Sequence, residues 1–365
     1  MVNLTWKNKT DISSKLDDLK KKYYKKYEIL NFNNISSNLY NQITYNNLHW
    51  KNKLFWGDNL EVLLYLLDNL KDKINLIYID PPFFSGNNYQ IQIKENENLF
   101  EDIIYSDNWQ KDLDSYLQMF YERLILMKRL LSNNGLIFVH LDWHATHYVK
   151  VLLDGLFGQN MFVNEIVWYY YNKYSAGKKN LPRAHDNILV YSKSKNYTFN
   201  EIRIPRKKPI KQLKRKMVNG VLKNVKGENG RVVYRIVNDK KLDDVWMIPC
   251  LQPASSEWTG FPTQKHHELI ETIIKLGSNE QDIIADFFCG SGTTLLAAEK
   301  LKRRWIGSDI SSYSIYLSRQ RILNFKKKDK GKSFPFEIIT ELTEDKKNII
   351  QSGFFQKEIR IRALR

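Results

Sequence analysis

Short apolar runs alternate with amphipathic segments over two stretches of the chain, and this alternation constrains the fold more than any other feature. In the first stretch, strand patterns such as INLIYID and GLIFVHLD flank the helical pattern LDSYLQMFYERLILMKRLL. The rhythm returns after Phe261 with HHELIETIIKL, DIIADFF, TTLLAAEKLK and RWIGSDI. Strands that alternate with helices form a mostly parallel sheet with helices on both faces. We therefore predict an α/β fold with a Rossmann-like sheet.

The same rhythm divides the chain into five parts. It breaks between residues 172 and 258, where short strand patterns surround the basic run RIPRKKPIKQLKRK, as is typical of an insert. The flanking parts, 51–171 and 259–325, are then two halves of one domain, with FEDIIYSDNW predicted as a loop in the first half. Residues 1–50 are predicted as a helical appendage. Residues 326–365 are a charged tail in which FEIIT is a candidate last strand.

Composition indicates an acidic partner and a reducing compartment. The 365 residues include 57 Lys or Arg and 40 Asp or Glu, and the resulting charge of +17 favours polyanions. Two cysteines far apart, Cys250 and Cys289, give no disulfide framework and no zinc pattern, which fits the cytosol. No apolar run approaches the roughly 20 residues of a membrane helix, and the N-terminus lacks the apolar core of a signal peptide. We therefore expect a cytoplasmic protein with no membrane partner.

A glycine turn between a buried strand and a helix is the first candidate ligand site. ADFFCGSGTTLLAAEKL places Gly290 and Gly292 where the backbone can approach a ligand closely, although an ordinary strand-to-helix turn has the same pattern. The lysine of a P-loop is missing, and Leu295 breaks the dinucleotide pattern GxGxxG. Asp309 ends the next strand, where an acid hydrogen-bonds ribose. A nucleoside cofactor without pyrophosphate, S-adenosyl-L-methionine, fits this combination best.

A second candidate site is the sequence IYIDPPFFSG, in which an apolar strand stops at an acid and two prolines. Prolines lack the N–H that a central strand needs, so the strand ends at Asp80 and the backbone after it is stiff. A plain strand-ending turn explains the prolines equally well. Short motifs of this kind carry a high risk of false positives.

Taken together, these motifs resemble those of a known enzyme family. DFFCGSGTT followed by GSDIS resembles the S-adenosylmethionine-binding motifs of the amino-group DNA methyltransferases, and IDPPF resembles their catalytic tetrapeptide (D/N/S)PP(Y/F/W). The order, catalytic motif first, is similar to the β group of DNA N6-adenine and N4-cytosine methyltransferases, which includes modification subunits of type III restriction systems. FWGDNLEVL, RAHDNILVYSKS and SEWTGFPTQKHHELIETII resemble supporting motifs, so the resemblance covers about residues 50–325. His266, where the family usually has proline, and the run Phe287-Phe288-Cys289 depart from its pattern.

The resemblance implies catalytic roles for the tetrapeptide Asp80, Pro81, Pro82 and Phe83. The Asp80 carboxylate and the Pro81 carbonyl would accept hydrogen bonds from the target amino group, the prolines would hold that carbonyl, and Phe83 would stack on the base. Because the target atom cannot be reached inside a duplex, the family flips the nucleotide out. No metal is needed. HLDWHATH contains three histidines, His140, His144 and His147, but no recognised metal pattern, and we expect them on the loop and helix after a strand.

The resemblance also implies a set of cofactor-binding residues. Asp309 would bind the ribose, Asp58 the adenine end and Lys265 the methionine carboxylate. Two of these have simpler alternatives: Asp58 as a helix N-cap and Lys265 as a solvated lysine at a helix start. The full predicted set is Asp58, Lys265, Phe288, Gly290, Gly292, Thr293 and Asp309.

The insert is the target-recognition region of this family, so residues 172–258 are predicted to read DNA bases. Its basic run would contact phosphates, although such a run is more often a solvated face. The predicted DNA-binding residues are Arg203, Arg206, Lys207, Lys208, Lys211, Lys214, Arg215 and Lys216.

The sequence thus predicts a prokaryotic DNA adenine-N6 methyltransferase of a restriction-modification system, acting on double-stranded DNA in the cytosol. Asp80 at the start of the tetrapeptide favours adenine, because N4-cytosine enzymes usually have serine there. The alternatives are an N4-cytosine methyltransferase and a non-catalytic DNA-binding subunit with a relic fold. RNA or protein-glutamine methyltransferases fit the motif order and the insert less well. A homodimer and a cognate restriction endonuclease stay open as partners.

Overall fold

A computed structural model gives the fold. It describes residues 4–7, 9–12, 16–23, 27–30, 50–84, 88–95, 98–106, 112–173, 179–328, 335–356 and 360–362. The described chain divides into two compact units, Asn200–Asp244 and the remainder. None of the described helices is both long and apolar enough to cross a membrane.

The larger unit is built on a ten-stranded sheet with the strand order β1-β16-β2-β15-β14-β3-β6-β8-β7-β13. From β16 to β6 all neighbours are parallel, whereas β1 and β8 run antiparallel to their neighbours. The strands are β1 (Tyr27–Ile29), β2 (Asn52–Trp56), β3 (Ile74–Ile79), β4 (Asn88–Glu95), β5 (Asn98–Ser106), β6 (Leu131–Leu141), β7 (Phe162–Tyr169), β8 (His185–Ser192), β9 (Arg203–Leu213), β10 (Arg215–Val218), β11 (Val221–Asn224), β12 (Tyr234–Lys241), β13 (Val245–Met247), β14 (Ile283–Asp286), β15 (Arg304–Asp309), β16 (Phe336–Glu341) and β17 (Arg360–Arg362).

Helices connect the parallel strands and bury apolar faces against the sheet. They are α1 (Leu16–Tyr23), α2 (Asn59–Leu70), α3 (Leu113–Leu130), α4 (Thr146–Phe157), α5 (His267–Gly277), α6 (Thr293–Lys300), α7 (Ser312–Lys328) and α8 (Glu344–Gln351), with 3₁₀ turns at Gln159–Met161 and Phe354–Gln356. The central strands β3 and β14 are almost wholly buried, as their continuous apolar runs require. The predicted α/β fold with a mostly parallel sheet is confirmed.

The parallel strands β2, β15, β14, β3 and β6 are direct neighbours, so their carboxyl ends share one edge of the sheet. Ligands bind outside the carboxyl ends of such strands, where the strand order reverses. Four of these ends carry an acidic residue that terminates or directly follows the strand: Asp80 after β3, Asp142 after β6, Asp286 in β14 and Asp309 in β15.

Several boundaries differ from the predictions. The second unit, Asn200–Asp244, is shorter than the predicted insert 172–258, because β8 and β13 join the large sheet. The terminal parts are also less separate than predicted, since β1 from residues 1–50 pairs with β16 from the tail. The predicted last strand FEIIT is confirmed as β16, whereas FEDIIYSDNW, predicted as a loop, lies largely in β5 of the small sheet β17-β4-β5.

The second unit consists of two antiparallel strand pairs. In the longer pair β9 aligns with β12, and a bulge interrupts the register between Val237 and Asp239. In the shorter pair β10 and β11 are joined by Asn219-Gly220, both at positive φ (48° and 76°). Asn-Gly is the preferred sequence for a two-residue hairpin turn of this conformation.

A buried glutamate ties α6 to the sheet. Glu299 accepts hydrogen bonds from Asn52 Nδ2 (3.0 Å) and Trp305 Nε1 (2.5 Å), and Lys326 Nζ lies 3.2 Å from its other oxygen. The side chain of Glu299 is 1% exposed. Because α6 begins at the glycine turn, the anchoring of this helix to the sheet also fixes the position of the turn.

We predict that Glu299→Ala lowers the free energy of unfolding by about 2–4 kcal/mol, because it leaves buried donors and a lysine without their acceptor. Chemical denaturation of the purified protein measures this. Glu344→Ala is the matched control, since its pair with Lys347 is exposed. Equal stability losses in the two variants would contradict the structural role of Glu299.

Candidate active site

The two predicted motifs meet at one cavity of about 950 Å³ at the carboxyl edge of the sheet. Polar groups from the ends of β2, β3, β6, β14 and β15 surround it. Of the residues predicted from the sequence, those that line it are Asp58, Asp80, Pro81, Pro82, Phe83, Lys265, Phe288, Gly290, Thr293 and Asp309. The predicted catalytic and cofactor residues are therefore adjacent, although about two hundred positions separate the motifs in sequence.

The glycine turn between β14 and α6 depends on backbone conformations that favour glycine. Gly290 and Gly292 have φ of 47° and 73°. A Cβ on Gly292 would lie 2.5 Å from Ser318 Oγ and 3.0 Å from Ser318 Cα, so this glycine allows α7 to pack closely. Gly292 is not among the residues that line the cavity, and its packing against Ser318 is what the structure shows; its predicted contact with the cofactor stays a prediction.

Asp309 closes the glycine turn against the next strand. Its Oδ2 accepts from the Gly290 N–H and its Oδ1 from the Ser311 N–H, both at 2.9 Å. The structure thus places Asp309 where the sequence predicted, at a strand end beside the turn.

Asp58 caps helix α2, as the simpler alternative for this residue predicted. It accepts from the Leu60 N–H at 2.8 Å. Its two oxygens also lie 3.2 Å from Arg123 Nη2. Asn59, the next residue, donates to the Phe287 carbonyl at 2.9 Å and so links α2 to the end of β14.

Asp80 is paired on one oxygen only. Lys265 Nζ lies 2.5 Å from Oδ2, and the predicted contact of this lysine with a methionine carboxylate stays a prediction. Oδ1 is buried and has no hydrogen-bond partner among the described residues; His140 Nδ1 is 3.6 Å away. Buried carboxylate oxygens are normally hydrogen-bonded, so this oxygen is set up to accept a donor from a ligand.

The rest of the tetrapeptide is held rigidly next to Asp80. The Pro82 carbonyl accepts from the Tyr116 hydroxyl at 2.9 Å. Phe83 is half-buried, with its ring centroid 5.8 Å from that of His140 and 5.3 Å from Lys265 Nζ. Phe84 follows at φ 63°, a strained conformation for a phenylalanine.

The three histidines of HLDWHATH do not form a metal site. His140 is fully buried at the end of β6, His144 Nδ1 lies 2.7 Å from Asp142, and His147 is exposed on α4. Within the described residues, Glu257, His266 and His267 lie close enough to share an ion. They have structural partners, however: His267 binds Glu257, and His266 caps α5.

The sequence analysis missed Arg321, and its placement of His140 on a loop or helix was wrong, because this histidine lies within β6. Arg321 Nη1 donates to the Ser291 carbonyl (2.7 Å) and the Thr293 hydroxyl (3.0 Å) and so braces the glycine turn. Behind Asp80, His140 contacts Tyr78 and Asp186, which lie on β3 and β8. The histidine in HLD at a strand end was a usable signal, but its partner Asp186 follows 46 residues later on an antiparallel strand.

Asp286, in the cavity wall, is fully buried, and burial raises its pKa to about 7. The charges of Asp80 and Asp309 raise the pKa further, whereas hydrogen bonds from Thr294 and the Phe288 N–H oppose the shift. This carboxyl therefore gains a proton close to neutral pH.

Several known proteins are similar to this chain. The DNA methylase family N6_N4_Mtase matches residues 74–320. The type II methyltransferase M.EcaI of Enterobacter cloacae is 29% identical over 72% of this chain and 67% of its own length. The StyLTI Mod subunit of a Salmonella typhimurium type III restriction-modification enzyme is 24% identical over 68% of this chain, which spans half of that relative. Among solved structures, the M1.HpyAVI–SAM complex has a TM-score of 0.48 at 20% identity, covering 74% of this chain and 98% of that one.

The chain belongs to the N6_N4_Mtase family of DNA methylases, because the family matches about two thirds of it, including strand β3 and the glycine turn. The resemblance to the β group of amino-group DNA methyltransferases is confirmed. S-adenosyl-L-methionine is the methyl donor of this family.

We predict that Asp286 makes the stability of the protein fall as pH rises from about 4 to about 7. Its pKa is higher in the folded than in the unfolded state, so its stabilising contribution is complete at low pH and is lost as pH rises through the folded value. Asp286→Asn keeps an acceptor for the Phe288 N–H but cannot ionise, so denaturation between pH 5 and pH 8 should show a smaller decline than in the wild type. Parallel stability curves would contradict this assignment.

Proposed function

We propose that this protein is a DNA adenine-N6 methyltransferase that uses S-adenosyl-L-methionine. The observation that carries the proposal is the buried Asp80 Oδ1, which lacks a hydrogen-bond partner among the described residues and belongs to a residue that lines the same cavity as the glycine turn. An acceptor held in this way suits the N–H of an amino group. The family membership supplies the reaction class.

The cavity wall suits the donor molecule. A volume of about 950 Å³ is at the upper end of ordinary ligand sites. The turn at Gly290, the Asp309 carboxylate and the half-buried Phe288 ring form one side, where an adenosine and its ribose would lie. S-adenosyl-L-methionine, when bound, supplies a methyl group on a positively charged sulfur.

The chain's own task is to orient a poor nucleophile. The lone pair of an exocyclic amino group is delocalised into the base, so transfer needs the nitrogen fixed in line with the methyl group. Asp80 Oδ1 would accept one amino N–H and the Pro81 carbonyl another, which favours a pyramidal nitrogen. Phe83 would stack on the base. These groups are rigid before the substrate arrives, because Tyr116 and the two prolines fix the backbone.

Asp80 is also the reason for proposing adenine rather than cytosine, since the cytosine-N4 enzymes usually begin the tetrapeptide with serine. The target base would have to leave the helix to reach Asp80, which has a side chain only 14% exposed. Base flipping is therefore part of the proposal.

The second unit is proposed to bind the DNA. Residues 200–244 include 14 Lys or Arg and five Asp or Glu, a density that favours phosphate contacts. Two of the predicted DNA-binding side chains already have hydrogen-bond partners within the unit. Arg203 pairs with Asp239 and Glu201, and Arg206 donates to the Asp239 carbonyl. The other six members of the set, all exposed, are therefore the stronger candidates: Lys207, Lys208, Lys211, Lys214, Arg215 and Lys216.

We propose a role in a restriction-modification system, because one relative is named as the Mod subunit of a type III restriction-modification enzyme. We propose double-stranded DNA as substrate, the bacterial cytosol as location, and a cognate endonuclease and a homodimer as partners to be tested.

We predict that Asp80→Ala abolishes methyl transfer, by at least about a thousandfold, while the affinity for DNA changes little. Incorporation of labelled methyl groups into duplex DNA, followed by digestion to nucleosides, measures both activity and product. N6-methyladenine is expected from the wild type. N4-methylcytosine as the product would refute the choice of base, and near-normal turnover of the variant would refute the role of Asp80.

We predict that replacing Lys207, Lys208 and Lys211 by alanine weakens DNA binding and lowers the slope of log K against log salt by up to about 3, roughly 0.9 for each lost phosphate contact. Fluorescence anisotropy at several salt concentrations measures the slope. A triple alanine variant of the exposed Lys71, Lys73 and Lys302 removes the same charge elsewhere and serves as control. Equal slopes for the two variants would show that the basic strand faces away from DNA.

A further inference from the structure

A fully buried histidine lies directly behind the proposed catalytic carboxylate. His140, at the end of β6, has 0% exposure and is contacted by polar groups from two neighbouring strands. Tyr78 OH is 2.9 Å from its Nδ1, and Asp186 Oδ2 is 3.4 Å from its Nε2. Asp80 Oδ1 is 3.6 Å from Nδ1, just beyond hydrogen-bond range.

The partners of His140 determine which of its nitrogens carries the proton. Burial, followed by the charges of nearby aspartates, raises the pKa of Tyr78 well above its usual value, so its hydroxyl stays protonated. The Asp186 carboxylate can only accept, so Nε2 carries the ring proton and donates to it, and Nδ1 of the neutral imidazole then accepts from the Tyr78 hydroxyl. Neutral His140 thus presents an acceptor nitrogen, Nδ1, on the side of Asp80.

Asp186 is held as a carboxylate behind the imidazole. Burial by itself raises its pKa, but hydrogen bonds from His140 and Tyr170 and the positive charge of Lys265 bring the pKa below the usual value. The Tyr170 hydroxyl donates to its Oδ1 at 3.1 Å. A fixed negative charge at Nε2 stabilises an imidazolium ion, as in other Asp–His pairs.

Methylation of an amino group creates a proton that must leave. The N6–CH₃ bond forms with the nitrogen lone pair, the S–CH₃ bond breaks, and its electrons stay on sulfur. N6 then carries a positive charge and two hydrogens, and loss of one proton restores the neutral product. The oxygen nearest to that proton is Asp80 Oδ1.

We propose that His140 is a positioning and proton-accepting residue that acts through Asp80, with Asp186 stabilising its charged form. The proton passes from N6 to Asp80 Oδ1 and on to His140 Nδ1. The Tyr78 hydroxyl, which donates to Nδ1 beforehand, rotates so that its oxygen accepts from the new Nδ1–H. The proton reaches solvent when the product leaves. This inference rests on the proposed methyl transfer and adds the residue that restores Asp80 to its ionised state. The gap of 3.6 Å is of the kind that tightens when substrate binds.

The other groups around His140 are consistent with this path. Lys265 neutralises Asp80 at Oδ2, and so leaves Oδ1 for the proton. The rings of Phe83 and Trp168 cover the imidazole at 5.8 and 5.4 Å between centroids. Asp142, which follows β6, is bonded to His144 instead.

Two variants test the relay in single-turnover methylation of duplex DNA from pH 5.5 to 8.5. His140→Gln should lower the rate roughly 100-fold and remove the decline at acidic pH, because no imidazole is left to be protonated in advance. Asp186→Asn should lower the rate about tenfold and move the decline to lower pH, since removal of a negative charge favours the neutral imidazole. His147→Gln, on an exposed histidine of α4, is the control and should match the wild type.

A second measurement is independent of activity. In ¹⁵N-histidine NMR spectra, the resonances lost in His140→Gln should show the Nε2–H tautomer above neutral pH. The Nδ1–H tautomer would overturn the proposal, because Nδ1 would then be unable to accept a proton.

The kinetic outcomes distinguish a failure of the His140 relay from a failure of the proposed methyl transfer. A wild type that methylates no base overturns both. An active wild type whose acid decline persists in His140→Gln overturns the relay alone, and assigns the decline to another group such as Asp286. An Asp186→Asn profile that is unshifted, or shifted to higher pH, overturns the role of the carboxylate pair.

Discussion

The parallel pairing of β15, β14 and β3 is the constraint on which the site depends. Ile284 lies opposite Leu76, and Asp286 lies opposite Gly307, so three chain segments end at the same level of the sheet. A slip of one residue would turn every buried side chain of a strand to the opposite face. The register that fills the core is therefore also the register that brings Asp80 to the glycine turn.

This arrangement brings three aspartates together in one cavity of a basic protein. The repulsion between their carboxylates is relieved in a different way at each residue. Asp80 pairs with Lys265, and Asp309 accepts two backbone N–H groups. Asp286, without a cation at that position, has its pKa raised by burial and by its two neighbours. Three like residues thus have three different sets of partners in one cavity, and at Asp286 these surroundings raise the pKa.

Local patterns in the sequence predicted much of this. Apolar runs predicted the central strands, and an acid at a strand end predicted the positions of Asp80 and Asp309. What the sequence could not supply was contact between distant strands. The pair His140–Asp186 depends on β8 running antiparallel beside β6, and the packing role of Gly292 depends on Ser318 of α7. The extent of the insert was misjudged for the same reason, since β8 and β13 resemble isolated short strands until their partners in the sheet are known.

The buried network behind Asp80 explains why its unpaired oxygen is tolerated. An unsatisfied buried acceptor costs roughly 1–3 kcal/mol, and a proton on His140 Nδ1 would relieve that cost. Tyr78, however, already occupies the Nδ1 lone pair, and Lys265 holds the other oxygen of the carboxylate. The unmet acceptor is consequently fixed in direction. A donor that enters the cavity would complete this hydrogen bond, and its binding energy would be released at the site of the proposed methyl transfer.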